Sequence, residues 1–189
     1  MVIKWDFIIF LVVSLLFLPI DFVINWLLAV TLHEISHIIM LYILRIRIFQ
    51  IQLKATGTYM ETEPMTPKQE MLCALAGPLG GFMGVILYRV NPYFAICSFL
   101  QSVFNLVPIY PADGGRVLYS LLRLKLNEHA ANVVLDLICY IIILTVILVG
   151  YILMIRNGYS LGTMHIVSCV FAVTLLKNSL QRCRKNSTM

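Results

Sequence analysis

Apolar residues run along the chain in blocks, and the polar positions between them mark where elements end. Residues 7–20 form the first block, closed by Pro19 and Asp21. It is short against the roughly 20 residues of a full membrane span. Residues 22–44 form a full-length block that stops at Arg45 and Arg47. Residues 46–53 read I-R-I-F-Q-I-Q-L, a near alternation of apolar and polar that predicts a strand. Lys54-Ala55-Thr56-Gly57 supplies a turn, and residues 58–62 a return strand. Thr66-Pro67-Lys68-Gln69-Glu70 predicts a helix start with Thr66 as N-cap, continuing to about Tyr88. Small residues from Ala74 to Gly84 let a neighbouring helix approach that segment closely, and Pro78 predicts a kink. Residues 93–107 are the next block, again short, broken by Pro108, Pro111, Gly114 and Gly115. A polar connector with Arg123, Lys125 and Glu128 follows, then spans over residues 130–155 and 159–180.

Composition fixes the class. Of 189 residues, 60% are hydrophobic and 12% charged, about half the charged share of a soluble domain. The expectation is an all-α polytopic membrane protein of about six transmembrane helices. A small membrane-associated β-hairpin lies between the second and third. The chain reads as one membrane-embedded core domain over residues 1–189. Its N-terminus, which lacks a small-residue cleavage site, reads as retained. Cys73, Cys97, Cys139, Cys169 and Cys183 make no C-x-x-C pair and read as packing residues. His129, Asp136 and His165 read as structural. No pattern of stacking residues and basic patches points to nucleic acid.

Charge then gives an orientation. Twelve of the 14 basic residues fall on the side shared by both termini, with only Arg89 and Arg156 on the other. The positive-inside rule places the termini, the hairpin and the loop around Asp113 on the cytoplasmic side.

The chemistry is concentrated in His33-Glu34-Ile35-Ser36-His37, an H-E-x-x-H inside the full-length block. Two histidines four apart share one helix face and can reach one zinc ion, with the intervening Glu as general base. Ionisable side chains at lipid depth are expensive, which marks them as a site. A catalytic zinc takes three protein ligands and keeps one position open. Asp113 is the best third candidate, because it sits at the same end in a sharply broken loop; Glu128 and Asp136 are weaker ones. A hydrolase at that depth implies a transmembrane peptide as substrate. Such a peptide must unwind, and a strand edge such as residues 46–53 would accept it.

The H-E-x-x-H segment, Ala76-Gly77-Pro78 and Asn105-Leu-Val-Pro108-Ile-Tyr-Pro111-Ala112-Asp113-Gly114-Gly115-Arg116 occur in the order in which the site-2 protease family of intramembrane zinc metalloproteases carries its motifs. The chain resembles that family over residues 22–122. Its six-span layout is most similar to the stage IV sporulation protease branch of Gram-positive bacteria. The resemblance implies one Zn2+ per chain on His33, His37 and Asp113, with Glu34 as catalytic base. It implies that Asn105 and the loop carrying Pro108, Pro111 and Gly114 help hold the substrate. Family substrates are membrane-tethered regulators of the pro-sigma or anti-sigma type, in a bacterial cell membrane, with a membrane inhibitor or regulatory partner. Members often carry a PDZ or CBS domain, and this chain is expected to have neither. Ala112 stands where the family often has a larger apolar residue. Two alternatives come from other classes. One is a non-catalytic scaffold or chaperone of the same fold that sequesters transmembrane segments. The other is a metal transporter, against which Glu34 between the histidines counts. The topology predicts that a reporter fused after Met189 reads cytoplasmic; an external reading would overturn it.

Overall fold

The computed structural model describes residues 2–54 and 57–157. The predicted span over 159–180, the basic residues from Lys177 onward, Cys169, Cys183 and His165 lie outside the described residues. The chain divides into two compact units, residues 1–131 and 132–189.

The first unit begins with β1 (Val2–Ile3) and α1 (Trp5–Phe17), followed by α2 (Ile20–Ile43). The hairpin is β2 (Ile48–Lys54) and β3 (Gly57–Thr62), antiparallel, with Ile51 opposite Met60 and Lys54 opposite Gly57. Then come α3 (Pro67–Gly84), a 3₁₀ turn over Val85–Arg89, α4 (Pro92–Asn105) and α5 (Asp113–Arg123). The last described helix, α6 (Glu128–Asn157), lies mostly in the second unit.

Three helical segments among the described residues are long and apolar enough to cross a bilayer: Ile20–Ile43, Pro67–Arg89 and Glu128–Ile152. With their apolar outer faces they make this a membrane protein. On α2, Leu28, Ile35, Ile39 and Tyr42 point away from the protein body, an apolar stripe that lipid suits and water does not. At 13 and 14 residues, α1 and α4 reach only about 20 Å, short of a hydrocarbon core of about 30 Å.

The inward face of α2 carries Asn25, Ala29, His33, His37 and Leu41, each buried and each four residues from the last. That spacing is one ridge of an α-helix, so the histidine pair lies on the line that packs against the neighbours. α3 is the hub. It packs against α2, α4 and α5, and it does so through small residues. A Cβ on Gly80 would collide with the Ser36 side chain of α2, and one on Gly84 would lie 2.8 Å from Ser98 Oγ of α4. Helix association in lipid gains little from the hydrophobic effect and relies on such close backbone packing. At the far end of α2, Asn91 Nδ2 donates to Asn25 Oδ1 at 2.7 Å, and Asn25 Nδ2 to the Asp21 carbonyl at 2.8 Å.

The predicted helix start at Thr66 is a full capping box. The Gln69 amide donates to Thr66 Oγ1 at 3.4 Å, and the Thr66 amide donates to Gln69 Oε1 at 3.0 Å. The helix runs on through Pro78 without a break in its assignment. Two readings of the sequence change. The stretch after Asp113, expected as an irregular loop and polar connector, is the amphipathic helix α5, with Asp113 as its first residue. The sheet also has a third strand. β1 pairs parallel to the end of β2 at Gln52 and Leu53, which makes β2 central in the order β1-β2-β3. The accepting edge expected on residues 46–53 is therefore already paired at that end. β3 leaves a whole edge free of other strands among the described residues.

The end of α2 is set by backbone geometry. Arg45 has φ 56°, in the left-handed region. Its amide donates to the Tyr42 carbonyl at 3.1 Å, and the Ile46 amide to the Leu41 carbonyl at 3.0 Å. That is the Schellman pairing, which normally has Gly at this position. A side chain there costs about 1–2 kcal/mol, part of which a glycine would return in lost chain entropy. Arg45→Gly should therefore raise the melting temperature of the detergent-purified protein by roughly 2–4 °C. An unchanged or lowered value would show that the left-handed turn carries no strain.

Candidate metal centre

Two elements far apart in sequence meet at one point. His33 and His37 come from the buried ridge of α2, and Asp113 from the first turn of α5. His33 Nε2 lies 3.0 Å from Asp113 Oδ2, His37 Nε2 lies 3.2 Å from the same oxygen, and the two Nε2 atoms are 3.2 Å apart. All three side chains are buried.

The triangle fits a metal. Ligand atoms about 2.0–2.1 Å from a tetrahedral zinc stand about 3.3 Å apart, close to the edges observed here. The donor chemistry agrees. His37 Nδ1 lies 2.8 Å from the Cys73 carbonyl of α3, a contact that requires this nitrogen to carry the proton. A neutral His37 therefore turns a lone pair on Nε2 toward the cluster. Metal-ligating histidines are usually oriented in this way through their other ring nitrogen. His33 Nδ1 is buried with no hydrogen-bond partner among the described residues. Two imidazole nitrogens and a carboxylate oxygen converging this tightly need positive charge between them, as protons or as a cation. Burial opposes ionisation of Asp113; where the joining charge is a proton, an imidazole Nε2–H donated to the carboxylate outweighs burial and holds the carboxyl well below the usual range.

Glu34 sits beside His33, half-buried, with its carboxyl hydrogen-bonded by the Thr58 side chain of β3. Thr58, Met60 and Thr62 form the half-buried face of that strand, and Thr58 brings it to Glu34. The other residues singled out in the sequence lie at the end of α4, in the turn after it and at the start of α5. Asn105 ends α4 and donates its amide to the Gln101 carbonyl at 3.1 Å. Pro108 and Pro111 lie in the turn that leads to Asp113. Gly114 is buried, and a Cβ there would strike the Leu106 carbonyl, so this turn packs directly on the start of α5. Among the described residues the metal-ligating group consists of His33, His37 and Asp113, and does not include Glu128 or Asp136.

Sequence reading missed two supports. One is the Cys73 carbonyl, a main-chain group that no side-chain motif reports. The other is Gly77, which it recorded as a small residue and as part of the Ala76-Gly77-Pro78 motif, without linking it to the histidines.

No protein-family model matches the chain. A zinc metalloprotease of Methanocaldococcus jannaschii is 28% identical over an alignment of 124 residues that covers 56% of this chain and 37% of that protein. The chain thus matches well under half the length of this curated relative. Among solved structures, the site-2 protease from Methanocaldococcus jannaschii aligns with a TM-score of 0.64 at 24% identity, covering 89% of this chain and 85% of that one. The fold is that of a site-2 protease.

Within this site-2 protease fold, Gly77 of α3 faces both imidazoles. A Cβ on it would lie 2.6 Å from His37 Cε1 and 2.7 Å from His33 Cε1, well inside contact distance. Alanine is the better helix former by about 1 kcal/mol, so helix propensity alone would favour the change. Gly77→Ala should nevertheless lower the zinc content of the purified protein at least about tenfold, in the range seen when ligand supports are lost. Helix content by circular dichroism should stay the same. Full zinc occupancy in the variant would mean that the rings are not held against α3.

Proposed function

We propose that the chain is an intramembrane zinc endopeptidase that hydrolyses a peptide bond within or near the transmembrane segment of a membrane-tethered protein. The observation that carries this reading is the convergence of His33 Nε2, His37 Nε2 and Asp113 Oδ2 within 3.0–3.2 Å, beside Glu34, on a helix that can cross a membrane.

When bound, zinc supplies a Lewis acid that lowers the pKa of a coordinated water to about 7. The protein supplies the rest. Glu34 takes the proton from the attacking water and passes it to the leaving amine. The Thr58 hydroxyl holds the Glu34 carboxyl in place between the two transfers. The substrate segment must be extended for its carbonyl to reach this point. The edge of β3 that pairs with no other strand among the described residues, and whose Thr58 already touches Glu34, is placed to pair with it as a fourth strand. Asn105, the turn carrying Pro108 and Pro111, and Gly114 at the start of α5 act as substrate supports.

The finer assignments rest on the sequence. The substrate is a regulator of the pro-sigma or anti-sigma type, and the setting is a bacterial cell membrane. The enzyme belongs with the stage IV sporulation branch, and an inhibitor or regulatory partner keeps it silent. Residues 1–189 act as one membrane-embedded core, with termini and site toward the cytoplasm.

Co-expression with a panel of tethered pro-sigma and anti-sigma segments tests the reaction. Wild type should cleave one of them. Glu34→Gln should lose at least about a hundredfold in rate, the lower end of what general acid–base catalysis provides, while keeping zinc and substrate bound. Cleavage by Glu34→Gln at the wild-type rate would remove the reaction from this site.

A further inference from the structure

Asp113 uses only one of its oxygens at the metal centre. Oδ2 faces both histidines, while Oδ1 lies 3.5 Å from Arg116 Nη1. Arg116 stands three residues later on α5, on the same helix face. Its Nε lies 3.9 Å from Glu70 Oε1, in the first turn of α3. The guanidinium therefore bridges two carboxylates on two helices. The cluster is sheltered, with the Arg116 side chain 27% exposed and Glu70 22%. Fully exposed pairs of this kind contribute little.

The arrangement has a chemical consequence. A carboxylate can bind a metal through one oxygen or through both. Ligation through both would crowd the position that a hydrolytic site must leave open for water. A guanidinium beside Oδ1 competes for that oxygen and leaves Oδ2 to the metal. Taken alone, a cation at this distance would also weaken Asp113 as a ligand for another cation. Glu70 offsets that charge from the far side. Lysine could not replace Arg116 fully, because an ammonium is a point charge and lacks the planar fork that addresses two carboxylates at once.

We propose that Arg116, held by Glu70, is a positioning residue that keeps Asp113 a one-oxygen ligand and so preserves the open position at the metal. This rests on the metal-centre reading given above.

Cobalt(II) is the probe, titrated into the full chain in detergent micelles and followed by visible absorption, which reports ligand number. The wild type should give the strong bands of a four-coordinate site. Arg116→Gln should still bind cobalt but show the weaker bands of a five-coordinate ion. Arg116→Lys should recover part of the wild-type spectrum. Wild-type bands in Arg116→Gln would overturn the proposal. Should that variant not fold, Arg116→Lys decides, and behaviour identical to wild type there overturns it equally. A wild type that takes up no cobalt would overturn the metal-centre reading, and this proposal with it. Binding by wild type without any effect of Arg116 overturns this proposal alone.

Discussion

Two imidazole nitrogens and a carboxylate oxygen, buried and 3.0–3.2 Å apart, repel one another unless positive charge joins them. The rest of the first unit serves to keep them there. α2 contributes the histidines as two adjacent members of its packing ridge, so their spacing and their burial have one origin. α5 contributes Asp113 at its first turn, where the helix dipole favours an anion. Neither helix could hold this geometry alone. Both are fixed by α3, which approaches the rings with a glycine, orients His37 with the Cys73 carbonyl and reaches α5 through Glu70.

The same hub explains the small residues of α3. In lipid, apolar side chains between helices gain little over apolar side chains facing acyl chains, so contact distance matters more than buried area. Gly77, Gly80, Gly81 and Gly84 each remove a side chain where a neighbour lies under 3 Å from the missing Cβ. Two of those neighbours are Ser36 and His37 of the H-E-x-x-H segment, and two are serines of α4. The stripe therefore sets the depth of the site and the packing of the bundle together. It cannot be tuned for one without the other.

Much of this was legible in the sequence because it was written in local patterns. The H-E-x-x-H on an apolar helix, the alternation of residues 46–53, the Thr66 cap and the cluster of glycines each have a period or spacing that reads directly. What was not legible depends on groups that pattern does not encode. β1 is two residues long, too short for any alternation, and it turned β2 from an edge into a central strand. α5 opens on Asp113-Gly114-Gly115, which reads as a break, since glycine is a poor helix former. The glycines are needed there because the preceding turn packs on the helix start, where a Cβ would meet the backbone of Leu106 and Ile109. Arg45 reads as a charge that ends a span, whereas it also carries the left-handed turn that ends α2.

The hairpin adds a last constraint. Its inner face ends on Thr58, whose side chain bonds Glu34, while its outer backbone edge is free of other strands among the described residues. A segment added along β3 would thus run past the residue that contacts Glu34. Its register would be fixed by main-chain hydrogen bonds before any side chain was read. Register on a strand edge moves in steps of about 3.3 Å, and a slip of one residue turns every side chain to the opposite face. Site selection by such an edge would depend on where the substrate can become extended. Helix-breaking residues near the scissile bond would then matter more than the identity of the side chains beside it.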